Sequence, residues 1–254
     1  MTYIRIPVID ANIRDVSVVA WRRKIGEEVL AGEALVDLAT DKSVFVFDAP
    51  VSGTLLAVFA GVAIGTAGFG FLASGAQPSV YGSLVGAVLF CFGLLTVVGY
   101  KLKLYTGTAG FIRKNEVGDL FLILLGNIVG CLLVSMLSRV SPLTVQESAQ
   151  KVLELRMGTG ALKCGILAIG CGFIMTTAVQ FARQNQFLPL IFGVPLFIVC
   201  GFPHCVADAF YFLCVPFAFI KAHFLQVLCV YVCIVLGNLV GCNLYRIVLA
   251  KDQY

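Results

Sequence analysis

The stretch Ala49–Tyr100 reads APVSGTLLAVFAGVAIGTAGFGFLASGAQPSVYGSLVGAVLFCFGLLTVVGY and carries no charged side chain over 52 positions. A helix that crosses a bilayer needs about 20 mostly apolar residues, so this stretch is long enough for two crossings and a turn. In the whole chain, 59% of the residues are hydrophobic and 13% are charged, whereas a soluble domain carries about 25% charged residues. The sequence therefore predicts an integral membrane protein and excludes a soluble enzyme.

Six apolar spans are predicted, and two of them are interrupted. The interruptions are residues 100–108 (YKLKLYTGT), which end the second span, and residues 200–205 (CGFPHC), inside the fifth. A broken helix is tolerated at membrane depth where its backbone is buried in protein or lines a cavity, and transporters with repeated halves form substrate sites there. We expect the two breaks to face each other. The six spans are about 54–74, 83–100, 119–137, 158–182, 187–220 and 225–245.

A short motif occurs twice. Gly126–Cys131 reads GNIVGC and Gly237–Cys242 reads GNLVGC, each in the span after a break. Small residues spaced as Gly-x-x-x-Gly let two helices approach closely. Two halves of three spans each must run in opposite directions through the membrane. The sequence therefore predicts an all-α, six-span inverted-repeat bundle with two broken helices.

Basic residues in the loops predict the orientation, because Lys and Arg accumulate on the cytoplasmic side. The loop 138–157 weakens the asymmetry, since it would lie outside with three basic and two acidic residues. We expect a plasma-membrane protein with both termini in the cytoplasm, surrounded by the lipid bilayer. The thinly spread basic residues form no patch, so no nucleic-acid partner is expected. The predicted inner basic residues are Arg113, Lys114, Arg183, Arg246 and Lys251.

The ten cysteines all lie in or beside apolar segments, and the sequence contains no Cys-x-x-Cys pair. Buried thiols act as small hydrophobic side chains, and disulfide frameworks belong mainly to small secreted domains. We therefore expect the cysteines to pack in the interior, and we expect no metal site.

His204 is the one histidine inside an apolar span, and ionisable residues there are costly enough to suggest a function. An imidazole titrates near neutral pH, so it can exchange a proton with a weak acid. The alternative is a neutral histidine bonded to a backbone carbonyl freed by Pro203. Asp208, one helical turn later, can pair with the imidazole or cap the second half-helix.

Other side chains near the breaks have one functional and one structural interpretation each. Lys101 and Lys103 can attract anions to a pore mouth or extend to the membrane interface. The bulky apolar residues can form constrictions that exclude water, or they can simply pack. These constriction candidates are Phe90, Leu94, Leu104, Tyr105 and Phe197.

Six short motifs, in order and spacing over residues 54–250, resemble the formate/nitrite transporter family. They are Ala60–Gly65, Leu104–Gly107, Gly126–Gly130, Gly165–Ala168, Gly201–His204 and Gly237–Gly241. The resemblance implies an aquaporin-like fold, a homopentamer with one pore per subunit, and a channel for small monovalent anions or their conjugate acids. Formate, nitrite and hydrosulfide are such substrates, and we expect no enzymatic activity.

The resemblance also assigns residues. His204 matches the central histidine, Thr106 the threonine of the first broken helix, and the five apolar candidates the constrictions. Lys151 and Lys163 are the candidates for the lysine that attracts anions. Three positions depart from the family pattern: Pro203 and Lys103 replace acidic residues, and Ile169 replaces an asparagine.

Residues 1–53 are a different kind of sequence. Short β-branched stretches alternate with charged turns, which predicts a small partial β module. Asp37–Leu55 resembles the lipoyl attachment hairpin, with Lys42 at the position of the modified lysine. The second half of a lipoyl domain would coincide with the first span. A membrane-anchored lipoyl carrier is therefore the alternative function, but no flexible linker of the kind that frees a carrier domain follows Ala49.

Overall fold

The computed structural model describes residues 17–22, 34–39, 44–48, 54–76, 81–112 and 117–249. The chain divides into two units, Met1–Leu55 and Leu56–Tyr254. In the first unit, strands β1 (Ser17–Trp21), β2 (Ala34–Ala39) and β3 (Val44–Asp48) form an antiparallel sheet in the order β1-β2-β3. Residues 3–8, one of the short β-branched stretches of the N-terminal segment, and Lys42 lie outside the described residues. The lipoyl-like module stays a prediction.

The second unit is helical. A 3-10 turn at Met136–Arg139 extends the helix Val117–Ser135, and the helix Val145–Thr159 lies in the stretch that was predicted as a loop. The helices are α1 (Thr54–Gly75), α2 (Gly82–Leu89), α3 (Cys91–Gly99), α4 (Tyr105–Thr108), α5 (Val117–Ser135), α6 (Val145–Thr159), α7 (Ala161–Arg183), α8 (Leu188–Val199), α9 (Cys205–Cys214), α10 (Phe217–Ala222), α11 (Phe224–Cys242) and α12 (Leu244–Leu249).

Five helical segments in the described part of the chain are long and apolar enough to cross a membrane. The predicted fifth span is not one of them, because it consists of two shorter apolar helices, α8 and α9. The predicted interruption near Pro203 is therefore confirmed, whereas the count of six crossings stays a prediction. The five segments are Leu55–Gly75, Gly82–Gly99, Val117–Arg139, Ala161–Arg183 and Phe224–Cys242.

The two breaks have the same backbone. Lys101 and Gly201 follow α3 and α8 with left-handed φ angles of 53° and 68°. Leu104 and His204 are then extended, with φ and ψ of −100° and 136° and of −117° and 113°, and each precedes the next helix. A left-handed residue ends a helix, and an extended one begins the next. Each half therefore contains a helix–break–helix unit, in which the helix after the break has four residues in the first half and ten in the second.

The repeated motifs bring helices into close contact in both halves. An added Cβ at Gly130 of α5 would overlap the carbonyl oxygen of Val58 in α1, and one at Gly241 of α11 would overlap that of Ile169 in α7. Gly130 and Gly241 therefore let neighbouring helices approach closely, as the Gly-x-x-x-Gly spacing predicts. These pairs of helices form the frame that carries the breaks.

Candidate functional site at the two helix breaks

Asn127 holds the first break in place. It is completely buried, and its Oδ1 accepts the backbone N–H of Tyr105 at 2.9 Å. Its Nδ2 donates to the carbonyl oxygens of Ala57 and Lys103, both at 2.8 Å. The asparagine thus satisfies backbone groups that the interrupted helix leaves without partners.

Asn238 does the same at the second break. It is also completely buried, its Oδ1 accepts the N–H of Cys205 at 2.8 Å, and its Nδ2 donates to Ala168 at 2.8 Å and Pro203 at 3.0 Å. The repeated motif was interpreted only through its glycines, so the role of both asparagines was not predicted. Their place in the motif was the available signal.

The His204 ring joins the two breaks. The residue is 1% exposed, and its Nδ1 accepts the Ala207 backbone N–H at 3.2 Å, so Nδ1 carries no proton. The proton of the neutral ring is then on Nε2, which lies 2.9 Å from Thr106 Oγ1 and donates to it. No backbone carbonyl of the described residues accepts a hydrogen bond from the ring, so the bond to a freed carbonyl that the sequence analysis considered is not seen.

Asp208 caps the second half-helix. It is completely buried, and its Oδ2 accepts the His204 backbone N–H at 2.9 Å. Its Oδ1 accepts Arg156 Nε at 3.0 Å, and Arg156 Nη1 donates to the Gly201 carbonyl at 2.8 Å. Of the two predicted roles, Asp208 therefore takes the cap, and its charged partner is a guanidinium that the sequence analysis did not single out.

The five apolar candidates are all buried and at most 3% exposed. The Phe197 and His204 rings stack with centroids 5.7 Å apart, and Phe90 meets Phe197 edge to face at 6.1 Å. The Tyr105 hydroxyl donates to the Val235 carbonyl at 3.3 Å. The surroundings of the Thr106–His204 contact are therefore apolar, with a few satisfied polar groups.

Two cavities adjoin the site. An inner cavity of about 130 Å³ is lined by His204, Arg156 and Phe197 among others. An outer cavity of about 230 Å³ is lined by Lys151 together with three hydroxyl side chains. Phe71 and Val152 line both cavities, so the two are neighbours. The hydroxyl side chains are Ser83, Thr144 and Ser148.

The remaining cationic candidates lie away from these cavities. Lys163 is exposed in the first turn of α7 and lines neither one. Lys101 is exposed after α3, and Lys103 contributes its carbonyl to Asn127. Among the described residues, no three His, Cys, Asp or Glu side chains form a group that could hold a metal ion.

The sequence matches known transporters. The family model described as formate/nitrite transporter matches residues 32–250. The uncharacterized transporter YrhG of Bacillus subtilis is 31% identical over 161 residues, which are 54% of this chain and 60% of that protein. The formate channel FocA of Haemophilus influenzae is 27% identical over 176 residues, 60% of each protein. The chain thus spans about 60% of the length of these relatives.

A further relative matches a short segment. The dihydrolipoyllysine-residue succinyltransferase component of the 2-oxoglutarate dehydrogenase complex of Bartonella vinsonii is 37% identical over 59 residues, 23% of this chain and 14% of that protein. This match covers a much smaller share of both proteins than the matches to the two transporters do.

The fold also has a solved counterpart. A structure described as a pentameric formate channel with formate bound superposes with a TM-score of 0.68 and 21% identity, over 78% of this chain and 95% of that one. The likeness shows the fold alone. Because the family model covers most of the sequence, the chain belongs to the formate/nitrite transporter family.

Proposed function

We propose that the protein is a membrane channel for small monovalent anions or their conjugate weak acids, of the formate, nitrite or hydrosulfide class. The observation that carries the proposal is the contact between Thr106 and His204, which joins the two breaks in an apolar environment. Membership of the family and similarity to a formate channel support it.

Lys151 is proposed to gather anions at the mouth of the pathway. Its side chain lines the outer cavity with hydroxyl groups, and a cationic wall raises the local concentration of anions. Phe71 and Val152 line both cavities, so an anion in the outer cavity lies next to the inner cavity beside His204. Lys163, which lies outside both cavities, is the weaker candidate for this role.

His204 is proposed to lend a proton at the constriction. A bare anion loses its hydration among Phe90, Phe197 and their neighbours at a large free-energy cost, whereas a neutral acid loses much less. For this, Nδ1 first takes a proton from water and gives up the bond from the Ala207 N–H. The resulting imidazolium passes its Nε2 proton to Thr106 Oγ1 while the threonine hydroxyl passes its own proton to the anion, and a neutral ring remains. The neutral acid then passes Leu94, Leu104 and Tyr105.

Proteoliposome flux tests this function. Purified protein should conduct formate, nitrite or hydrosulfide faster than empty liposomes do. The isosteric variant Thr66→Val is a suitable control, because Thr66 is an exposed residue of α1 whose hydroxyl bonds within its own helix. Its flux should equal that of the unaltered protein. Flux of all three anions at the level of empty liposomes would contradict the proposal.

A homopentamer in the plasma membrane, with six crossings and both termini in the cytoplasm, is part of the same proposal. Similarity to a pentameric channel supports the pentamer. Native mass spectrometry of the detergent-solubilised protein should give five times the subunit mass of 27.2 kDa. Protease protection of a C-terminal tag in vesicles of known sidedness tests the orientation.

Residues 1–53 are proposed to be a partial lipoyl-like module that is dispensable for transport. The antiparallel strands β1–β3 support the β module. Deleting residues 1–53 should leave flux intact if the protein still inserts normally, and loss of flux would contradict this. Intact-mass spectrometry tests modification of Lys42. The carrier alternative is not favoured, because the family match and the helical fold are those of a transporter.

A further inference from the structure

Arg156 is a charged residue in an environment that penalises charge. Its side chain is 13% exposed and that of its partner Asp208 is 1% exposed. A buried ion pair repays its desolvation only when geometry and further hydrogen bonds are good. Such a pair beside the proposed pathway therefore needs a role.

The Asp208 carboxylate and the Arg156 guanidinium differ in which of their hydrogen-bonding groups are already used. Asp208 uses Oδ1 for Arg156 and Oδ2 for the His204 N–H, so both carboxylate oxygens are engaged. A guanidinium has five N–H bonds. Arg156 uses Nε for Asp208 and one Nη1 hydrogen for Gly201, and within the described residues no atom accepts a bond from Nη2. Three donors thus stay available, on Nη1 and Nη2.

These donors belong to a side chain that lines the inner cavity together with His204. The neutralising carboxylate of Asp208 lines the same cavity, but each of its oxygens already accepts a hydrogen bond and neither can donate one. A ligand in the cavity therefore meets N–H donors of a cation. The clamp on Gly201 and Asp208 fixes the guanidinium before a ligand arrives, which lowers the entropic cost of binding.

We propose that Arg156 determines specificity in the inner cavity by binding planar, two-oxygen monovalent anions, carboxylates or nitrite, next to His204. The inference rests on the proposed anion conduction. The proposed contact uses one remaining N–H on Nη1 and one on Nη2, which can meet two oxygens with parallel hydrogen bonds. A hydrosulfide ion has a single acceptor atom and gains less from the fork. Asp208 is the positioning residue that orients the guanidinium.

Arg156→Lys separates the fork from the charge, because lysine keeps the cation and loses the planar donor pair. The measurement is the ratio of formate to hydrosulfide flux in proteoliposomes. We expect this ratio to fall about tenfold, the effect of about 1.4 kcal/mol. Lys151→Met is the matched comparison: it removes a cation from the outer cavity and should lower both fluxes while leaving their ratio unchanged. An unchanged ratio in assembled Arg156→Lys protein overturns the proposal.

A second test uses the unaltered protein, whose structure is determined at high formate concentration. The proposal expects formate oxygens within hydrogen-bonding distance of Arg156 Nη1 and Nη2, and an inner cavity without formate overturns it. This measurement also separates the two hypotheses. If the unaltered protein conducts neither anion, the proposed function fails, while the occupancy of the cavity still decides whether Arg156 binds anions.

Discussion

Replacing Asn238 by leucine removes three hydrogen bonds at a completely buried position while keeping a similar volume. Cys205 loses the acceptor for its N–H, and Pro203 loses the donor to its carbonyl. Ala168 lies inside α7, where its carbonyl can accept a backbone N–H of the same helix, so it is not counted as an orphaned group. Each orphaned buried group costs about 1–3 kcal/mol. Two such groups give an expected destabilisation of about 2–6 kcal/mol.

Thermal unfolding of the detergent-solubilised protein measures this loss. For a chain of this size, 1 kcal/mol lowers the melting temperature by about 2–4 °C, so Asn238→Leu should melt roughly 5–20 °C below the unaltered protein. Asn127→Leu should cost a similar amount, because Asn127 makes the equivalent three bonds. Thr66→Val should stay within about 2 °C. An Asn238→Leu protein as stable as that control would refute the idea that the asparagines hold the breaks.

Three shorter predictions follow from other positions. His204→Asn should assemble normally and change the pH dependence of flux; unchanged flux from about pH 5 to 8 would make the histidine structural. Gly130→Ala should lower the melting temperature, because its Cβ would overlap the Val58 carbonyl, whereas Gly70→Ala, with nothing within 4 Å, should raise it slightly. Lys101→Gly should stabilise the protein by about 0.5–1 kcal/mol by relieving a left-handed backbone; a lower melting temperature would contradict this.

Much of the fold could be predicted because apolar length and glycine spacing are local signals. The uncharged stretch 49–100 and the interruption near Pro203 depend on composition and on the missing proline N–H. The break at Lys101 was harder to locate, because lysine rarely has a positive φ and its presence does not indicate a break. The helix α6 was missed as an element, because its charged residues suggested a loop.

The site was predictable where one residue type is unusual. His204 stands out as an ionisable group in an apolar span, and family resemblance supplied Thr106. The Arg156–Asp208 pair joins residues 52 positions apart, and no periodic pattern connects α6 with α9. Lys163 was the other candidate for the lysine that attracts anions, and its residue type could not show that it lies exposed in the first turn of α7.

The two breaks share a backbone and differ in side chains, and this difference separates stability from function. Thr108 returns its hydroxyl to the Leu104 carbonyl within the first break, a bond that serves only local structure. At the equivalent places of the second break, Asp208 binds a guanidinium of another helix and His204 reaches across to the first break. Repetition explains how an interrupted helix can persist in an apolar interior, because each half carries an asparagine for its exposed backbone groups. It does not explain the buried Arg156–Asp208 pair beside the second break, so we assign the chemistry of the proposed transport to the positions where the two breaks differ.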